Sequence, residues 1–367
     1  MIRVRASEPI RKKGIELGVD DTLPEIYRKT YLNLALSEGF GSGFVIKSER
    51  LIQTAATSLV ITNQHVIADA DQPRVSFDHD ETQYLGHILF SDRRLDLAIL
   101  EIRASVPGLT LNATSANIQD VFAVGYPSMN QDGSYQETHG NISNPCLHDR
   151  ELTKESTHGD DCWVKHTAAI DPGSSGGPLL TKAHEVIGVN TAILTQLHDA
   201  FLAVPATAIQ KAIQDAELFR EKRTDATWLA DQLKDRCRKF NGELSSTSSD
   251  HTLLVSFISN SLMAEQGNQA YQRLVENIPG ASQQVIPSFF KDPAYTLRAS
   301  LVMALRYLYE TRGGVAKDEQ CTRLNPNDDV TKSDATVRIM ISLQRGSDVE
   351  LVWMLEHGAW RLRDYNP

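Results

Sequence analysis

Asp171-Pro172-Gly173-Ser174-Ser175-Gly176-Gly177-Pro178 is the stretch on which the reading turns, and it contains the pattern G-x-S-G-G-P. In most chains a run of Gly, Ser and Pro is simply a turn. Here glycines stand on both sides of one hydroxyl, which suits a narrower task. Acyl transfer through serine needs an exposed oxygen with backbone N–H groups beside it, aimed at the developing oxyanion, and glycine lets the chain come that close. Ser175 is the expected nucleophile, and the N–H groups of Gly173 and Ser175 are the expected oxyanion donors.

Working outward, two segments supply the partners such a serine requires. ITNQHVI (61–67) puts His65 directly after an apolar strand, and RRLDLAIL (93–100) puts Asp96 at the start of another. Taken singly, a histidine beside a strand is a structural residue and an aspartate before a strand is a turn or cap. Together with the serine motif they form a base, its orienting carboxylate and a nucleophile. Their order along the chain, His then Asp then Ser, is that of the chymotrypsin fold and differs from subtilisins and α/β-hydrolases.

The surrounding sequence agrees with a β-rich domain. From Phe40 to Pro205, short apolar runs (GFVI, SLVIT, DLAIL, VFAVGYP, EVIGVNTAI, FLAVP) alternate with Gly, Asn, Asp and Pro, which indicates many short strands. After Pro205 the period becomes helical through Ile209, Ala212, Ile213 and Ala216. This gives a first domain over 1–220 with an N-terminal extension at 1–37, and a helical connection and linker over 221–249. A small α+β domain follows over 250–367, with helices at 251–278 and 293–312 and three strands in TVRIMISL, DVELVWML and AWRLRDY. The expected fold is mainly β, a chymotrypsin-like double β-barrel followed by this smaller domain.

Five segments in one order, GSGFVI, TNQHVI, DLAIL, FAVGYP and AAIDPGSSGGPL, followed by GVNTAI, resemble the trypsin-like serine proteases and, within them, the HtrA/Deg group. The resemblance covers residues 38 to 220. It implies two six-stranded barrels with His65, Asp96 and Ser175 in the cleft between them. It also implies a substrate pocket between Ala169-Ile170 and Val189-Asn190-Thr191-Ala192. No Asp stands at the pocket base, so cleavage is expected after small or medium aliphatic residues. The C-terminal region departs from the group: its helices precede its strands, and it lacks the glycine-rich loop of a PDZ domain. The expected reaction is peptide-bond hydrolysis in protein quality control or processing. The alternative is a latent effector protease, switched on through the C-terminal domain or the 144–164 loop.

Composition bounds the partners. With 367 residues, 41% apolar content and a net charge of −10, the chain is large enough for two cores and poorly suited to nucleic acid, despite basic residues at Arg3, Arg5, Arg11, Lys12 and Lys13. Protein or peptide substrates are expected, with the C-terminal domain as a place for a regulator. No segment approaches the ~20 apolar residues of a membrane-spanning helix. Four cysteines leave alternatives open. Cys146 and Cys162 bracket one polar loop and suit a disulfide if the chain is exported, while His148 and His158 allow a Cys/His zinc site to be drawn, at a spacing that matches no established zinc pattern. No metal or cofactor is called for. Family analogy favours the cell envelope if a signal has been removed, and the polar first residues favour the cytoplasm.

Overall fold

The computed structural model describes residues 2–7, 28, 32, 38–47, 57–67, 73–77, 82–92, 95–114, 120–127, 134–148, 162–193, 200–244, 254, 257, 258, 293–312, 321, 328–331, 335–343 and 348–366. Two compact units emerge: Met1–Glu8 with Ser37–Leu218, and Pro9–Leu36 with Phe219–Pro367. No helix among the described residues is long and apolar enough to cross a membrane.

The first unit begins with a seven-stranded antiparallel sheet made of β1 (Ile2–Ser7), β2 (Glu38–Ile46), β3 (Ser58–Thr62), β4 (Arg74–Phe77), β5 (Gln83–Leu85), β6 (His87–Asp92) and β7 (Leu97–Ile102), in the order β5-β4-β1-β2-β3-β7-β6. Its two edge strands, β5 and β6, are separated in sequence by Gly86 alone. Gly86 makes the corner with its N–H on the Pro73 carbonyl at 2.8 Å. Counted as one bent strand, residues 83–92 complete the six of a barrel. β1 corrects the expectation of an N-terminal extension for residues 2–7, which belong to the sheet; most of the remainder of 1–37 lies outside the described residues. Ile2, Val4 and Ala6 are buried on one face, and the strand is paired on both sides, to β2 and β4.

A closed six-stranded barrel follows, built from β8 (Asp120–Gly125), β9 (Gln136–Leu147), β10 (Trp163–His166), β11 (Pro178–Leu180), β12 (Val186–Ile193) and β13 (Phe201–Pro205). Alternate residues point to opposite sides. Val121, Ala123, Val164, Leu179, Ile187 and Ala203 fill one core, whereas Val124, Leu180, Val189 and Val204 share another with Phe44, Ile61 and Ile99 of the first sheet. That shared core joins the two barrels. Helix α1 (Gln64–Ile67) sits between β3 and β4, and α2 (Ala206–Lys222) follows β13, with Ile209 and Ala212 in the shared core. The loop expected over 144–164 is shorter than the sequence suggested, because β9 and β10 run into it and pair Leu147 with Trp163. Residues 149–161, including His158, lie outside the described residues.

The second unit contains α3 (Ala226–Leu244), α4 (Pro293–Arg312) and the antiparallel meander β14 (Thr336–Ile341), β15 (Val349–Glu356), β16 (Ala359–Asn366). α3, read from sequence as a connection, is a core element. Asp225 caps it, accepting the N–H groups of Thr227 and Trp228. Leu229, Leu233, Cys237, Phe240 and Leu244 then pack with Val337, Ile339, Leu351 and Trp353. The β15–β16 hairpin turns on His357 (φ 48°) and Gly358 (φ 80°), the pair of positive angles that matches strand twist. A disulfide joins Cys237 to Cys321. Most of the helix expected over 251–278 lies outside the described residues; Leu254, Phe257 and Ile258 within it are buried in the same core.

Candidate active site

Three loops of the first unit converge where the barrels meet. His65 is carried by α1, Asp96 lies immediately before β7, and Ser175 occupies the turn before β11. The His65 Nδ1 lies 2.9 and 2.8 Å from the two Asp96 carboxylate oxygens, and the His65 backbone N–H donates to Oδ1 at 3.0 Å. Ring and backbone are thus fixed by one carboxylate. Asp96 adopts φ 49°, a left-handed conformation that costs a non-glycine residue about 1–2 kcal/mol. Asn63 Nδ2 holds the Asp96 carbonyl at 2.8 Å and so supports that backbone. The His65 side chain is 51% exposed, while that of Asp96 is largely covered at 19%.

Ser175 stands in a turn whose N–H groups are divided in use. Those of Ser174, Gly176 and Gly177 donate to the carbonyls of Asp171, Asn190 and Ser174 at 2.9, 2.9 and 3.0 Å. Among the described residues, the N–H groups of Gly173 and Ser175 have no acceptor. Two free donors beside one hydroxyl are what a developing oxyanion requires. The turn is possible because Gly173 and Gly176 take φ 98° and 87°, and a Cβ on Gly176 would lie 2.1 Å from the Ser42 carbonyl. Glycine is therefore required at 176.

The Ser175 hydroxyl donates to the Thr191 carbonyl at 3.3 Å, and no hydrogen bond joins it to His65 among the described residues. Thr191 also donates its own hydroxyl to Asp96 Oδ2. It was read from sequence as a pocket wall, yet it links the serine to the aspartate. The other pocket residues divide. Ala169 is exposed, with its carbonyl accepting from Thr138 Oγ1 at 2.6 Å. Ile170 is buried in the interior of the closed barrel and Val189 in the shared core. Asn190 is fully buried with Nδ2 on the Pro178 carbonyl at 3.1 Å, and Ala192 pairs with Leu202 in the β12–β13 ladder. Sequence reasoning missed Ser42, Thr62 and Asn63, although all three stand in the quoted segments GSGFVI and ITNQHVI.

Behind the turn, His166 is buried beside the apolar residues of the closed barrel, and among the described residues neither ring nitrogen has a partner at hydrogen-bond geometry. Burial pushes its pKa down to about 4, with the Ala168 backbone opposing. Cys146 and Cys162 form a disulfide with a Cα–Cα distance of 5.0 Å, and His148 Nε2 lies 3.2 Å from Cys146 Sγ. These three side chains have the donor types of a zinc site. With the sulfurs bonded to each other, neither offers the thiolate such a site needs.

Residues 41–189 match the family model of the trypsin-like peptidase domain. A probable periplasmic serine endoprotease, DegP-like, from Rickettsia prowazekii (strain Madrid E) is 34% identical over 195 residues, covering 52% of this chain and 34% of that protein. The mitochondrial serine protease HTRA2 of Bos taurus is 33% identical over 181 residues, covering 48% and 36%. The crystal structure of a serine endoprotease from Yersinia pestis aligns with a TM-score of 0.40 at 23% identity, over 59% of this chain and 62% of that one. The chain spans about a third of the length of the curated relatives it matches. Within it, residues 41–189 match the trypsin-like peptidase domain and are similar to serine endoproteases of the DegP and HtrA kind.

Proposed function

We propose that the chain is a serine endopeptidase in which Ser175 is the nucleophile, His65 the general base and Asp96 the residue that orients it. The observation that carries the reading is the pairing of His65 Nδ1 with Asp96 at 2.8 Å on one side and two unused N–H groups flanking Ser175 on the other. His65 Nε2 takes the Ser175 proton as Oγ attacks the scissile carbonyl, and Asp96 stabilises the imidazolium that forms. The oxyanion rests on the N–H groups of Gly173 and Ser175. His65 then protonates the leaving amine, and water, deprotonated in turn by His65, releases the acyl group. The 3.3 Å bond from Ser175 to Thr191 describes a resting serine; the hydroxyl leaves that carbonyl for His65 Nε2 when substrate is bound, since catalytic hydrogen bonds often form only then.

The substrate reading is protein or peptide, cut after small or medium aliphatic residues, because neither pocket segment, 169–170 nor 189–192, contains an Asp or any other charged residue to receive a basic side chain. The role read for it is protein quality control or processing, and periplasmic serine endoprotease relatives together with two disulfides support an oxidising compartment such as the cell envelope. The Ser175 contact with Thr191 favours a second reading, a latent protease that needs a trigger acting through the C-terminal unit or the 144–164 loop. Exposure of a mixed peptide library to the wild-type chain and to Ser175→Ala, with new termini read by mass spectrometry, tests both. Cuts after aliphatic residues that vanish in the variant support the endopeptidase. Silence from both proteins favours latency, and cuts made equally by both would overturn Ser175 as nucleophile.

A further inference from the structure

The geometry points to Ser42 as the positioning residue of the oxyanion donors, a role that rests on the peptidase reading and adds to it. Ser42 lies on β2, fully buried, 131 residues from the turn it touches. Its N–H donates to the Ser175 carbonyl at 2.7 Å, and its hydroxyl donates to the Gly173 carbonyl at 2.8 Å. The direction of the second bond is fixed, because a carbonyl oxygen can only accept, and Ser42 Oγ itself accepts the Tyr126 N–H at 2.8 Å. Ser42 is held in turn by Thr62, whose hydroxyl donates to the Ser42 carbonyl at 2.8 Å.

The consequence appears when the turn is taken peptide by peptide. The 173–174 peptide is pinned at both ends, its carbonyl on Ser42 Oγ and its N–H on the Asp171 carbonyl; the 175–176 peptide is pinned likewise, by the Ser42 N–H and the Asn190 carbonyl. The carbonyl of 174–175 accepts from Gly177. Among the described residues, only the Pro172–Gly173 peptide is held at neither end, and it carries one of the two free N–H groups. At glycine that peptide can flip and turn its N–H away from the nucleophile, which would empty half of the donor pair. Ser42 fixes the adjoining peptide, and with it the pivot about which such a flip would occur. A donor aimed at an oxyanion contributes only when the oxyanion exists, so its misplacement lowers kcat and leaves ground-state binding alone.

The test compares the full-length wild type with Ser42→Ala, using a peptide substrate identified in the library and the matching peptide boronic acid, whose tetrahedral adduct on Ser175 places an oxygen in the donor pair. Binding of the uncut peptide is measured in Ser175→Ala with and without Ser42→Ala. The expected result is a fall in kcat of about 10- to 100-fold, with boronate inhibition weakened by a similar factor. KM and uncut-peptide affinity should stay within about twofold. Unchanged kcat and boronate inhibition in Ser42→Ala would overturn the role, as would a raised KM at constant kcat. Loss of the folded circular dichroism spectrum would also overturn it, by making Ser42 a folding residue. A wild-type chain that neither cleaves nor takes up the boronate, and matches Ser175→Ala, would overturn the reading of a working endopeptidase with a formed donor pair, and this role with it.

Discussion

Thr191 donates its hydroxyl to the Asp96 carboxylate, while its own carbonyl accepts the Ser175 hydroxyl at 3.3 Å. One residue of β12 therefore touches both ends of the proposed row, and its side chain is the part that a substitution can remove. Thr191→Val keeps the shape and deletes the donor. A hydrogen bond to a charged group contributes about 1.5–3 kcal/mol, so kcat/KM should fall by roughly 10- to 100-fold. Thr191→Ser should stay near wild type. Equal activity in the valine variant would show that the bond to Asp96 is dispensable.

Asp96→Asn separates charge from conformation. Asparagine tolerates the left-handed backbone seen at 96, and the Asn63 bond to the backbone carbonyl is retained, so the fold should hold. The amide can no longer stabilise an imidazolium or fix the tautomer, and kcat should drop by about 10⁴ with little change in thermal midpoint. Steady-state kinetics beside a melting curve checks it. A small loss in kcat would remove Asp96 from the mechanism.

The serine turn was legible because its pattern is local: the Ser175 hydroxyl and the glycines that shape its turn are neighbours in sequence. So was the second unit's meander, whose alternation in TVRIMI is the burial pattern of β14. Ser42 and Thr62 were not, since a serine within GSGFVI carries no mark that its hydroxyl will meet a carbonyl 131 residues away. The pocket segment misled for a related reason. β12 has a register shift between Asn190 and Ala192, so simple alternation does not tell which side chains face the site and which, like Val189, enter the shared core. β1 could have been read: Ile2, Val4 and Ala6 alternate with Arg3 and Arg5, yet the arginines suggested a basic patch, and Arg3 instead lies over the Tyr126 ring at 4.6 Å. The apolar stripe Leu229, Leu233, Cys237, Phe240 and Leu244 was likewise visible, and calling it a connection overlooked that a stripe of that length needs a core.

His166 makes stability depend on pH. Its folded pKa of about 4 lies below the ordinary 6.5, so the unfolded chain takes up a proton between these values while the folded chain does not. Stability is complete above pH 6.5 and is lost as pH falls toward 4, by about 3 kcal/mol if this group acts alone. His166→Gln should flatten that part of the stability profile. Denaturant midpoints at pH 7 and pH 4.5 read the difference, and an unchanged slope in the variant would assign the acid sensitivity elsewhere.

The Cys237–Cys321 disulfide ties α3 to a segment 84 residues further on, and both cysteines are fully buried in the core of the second unit. Closing a loop of that size restricts the unfolded chain strongly, and its loss should cost about 2–5 kcal/mol. Cys237→Ser leaves Cys321 unpaired and adds a buried hydroxyl, so Cys237→Ala/Cys321→Ala is the cleaner variant. The expected outcome is a lower denaturant midpoint for the second unit, with the first unit's transition unchanged. The units are distinguished by intrinsic fluorescence: Trp228, Trp353 and Trp360 lie in the second and Trp163 in the first. A midpoint that does not move would mean the thiols are reduced in the folded protein, which alkylation with a mass-tagged maleimide after unfolding would detect directly.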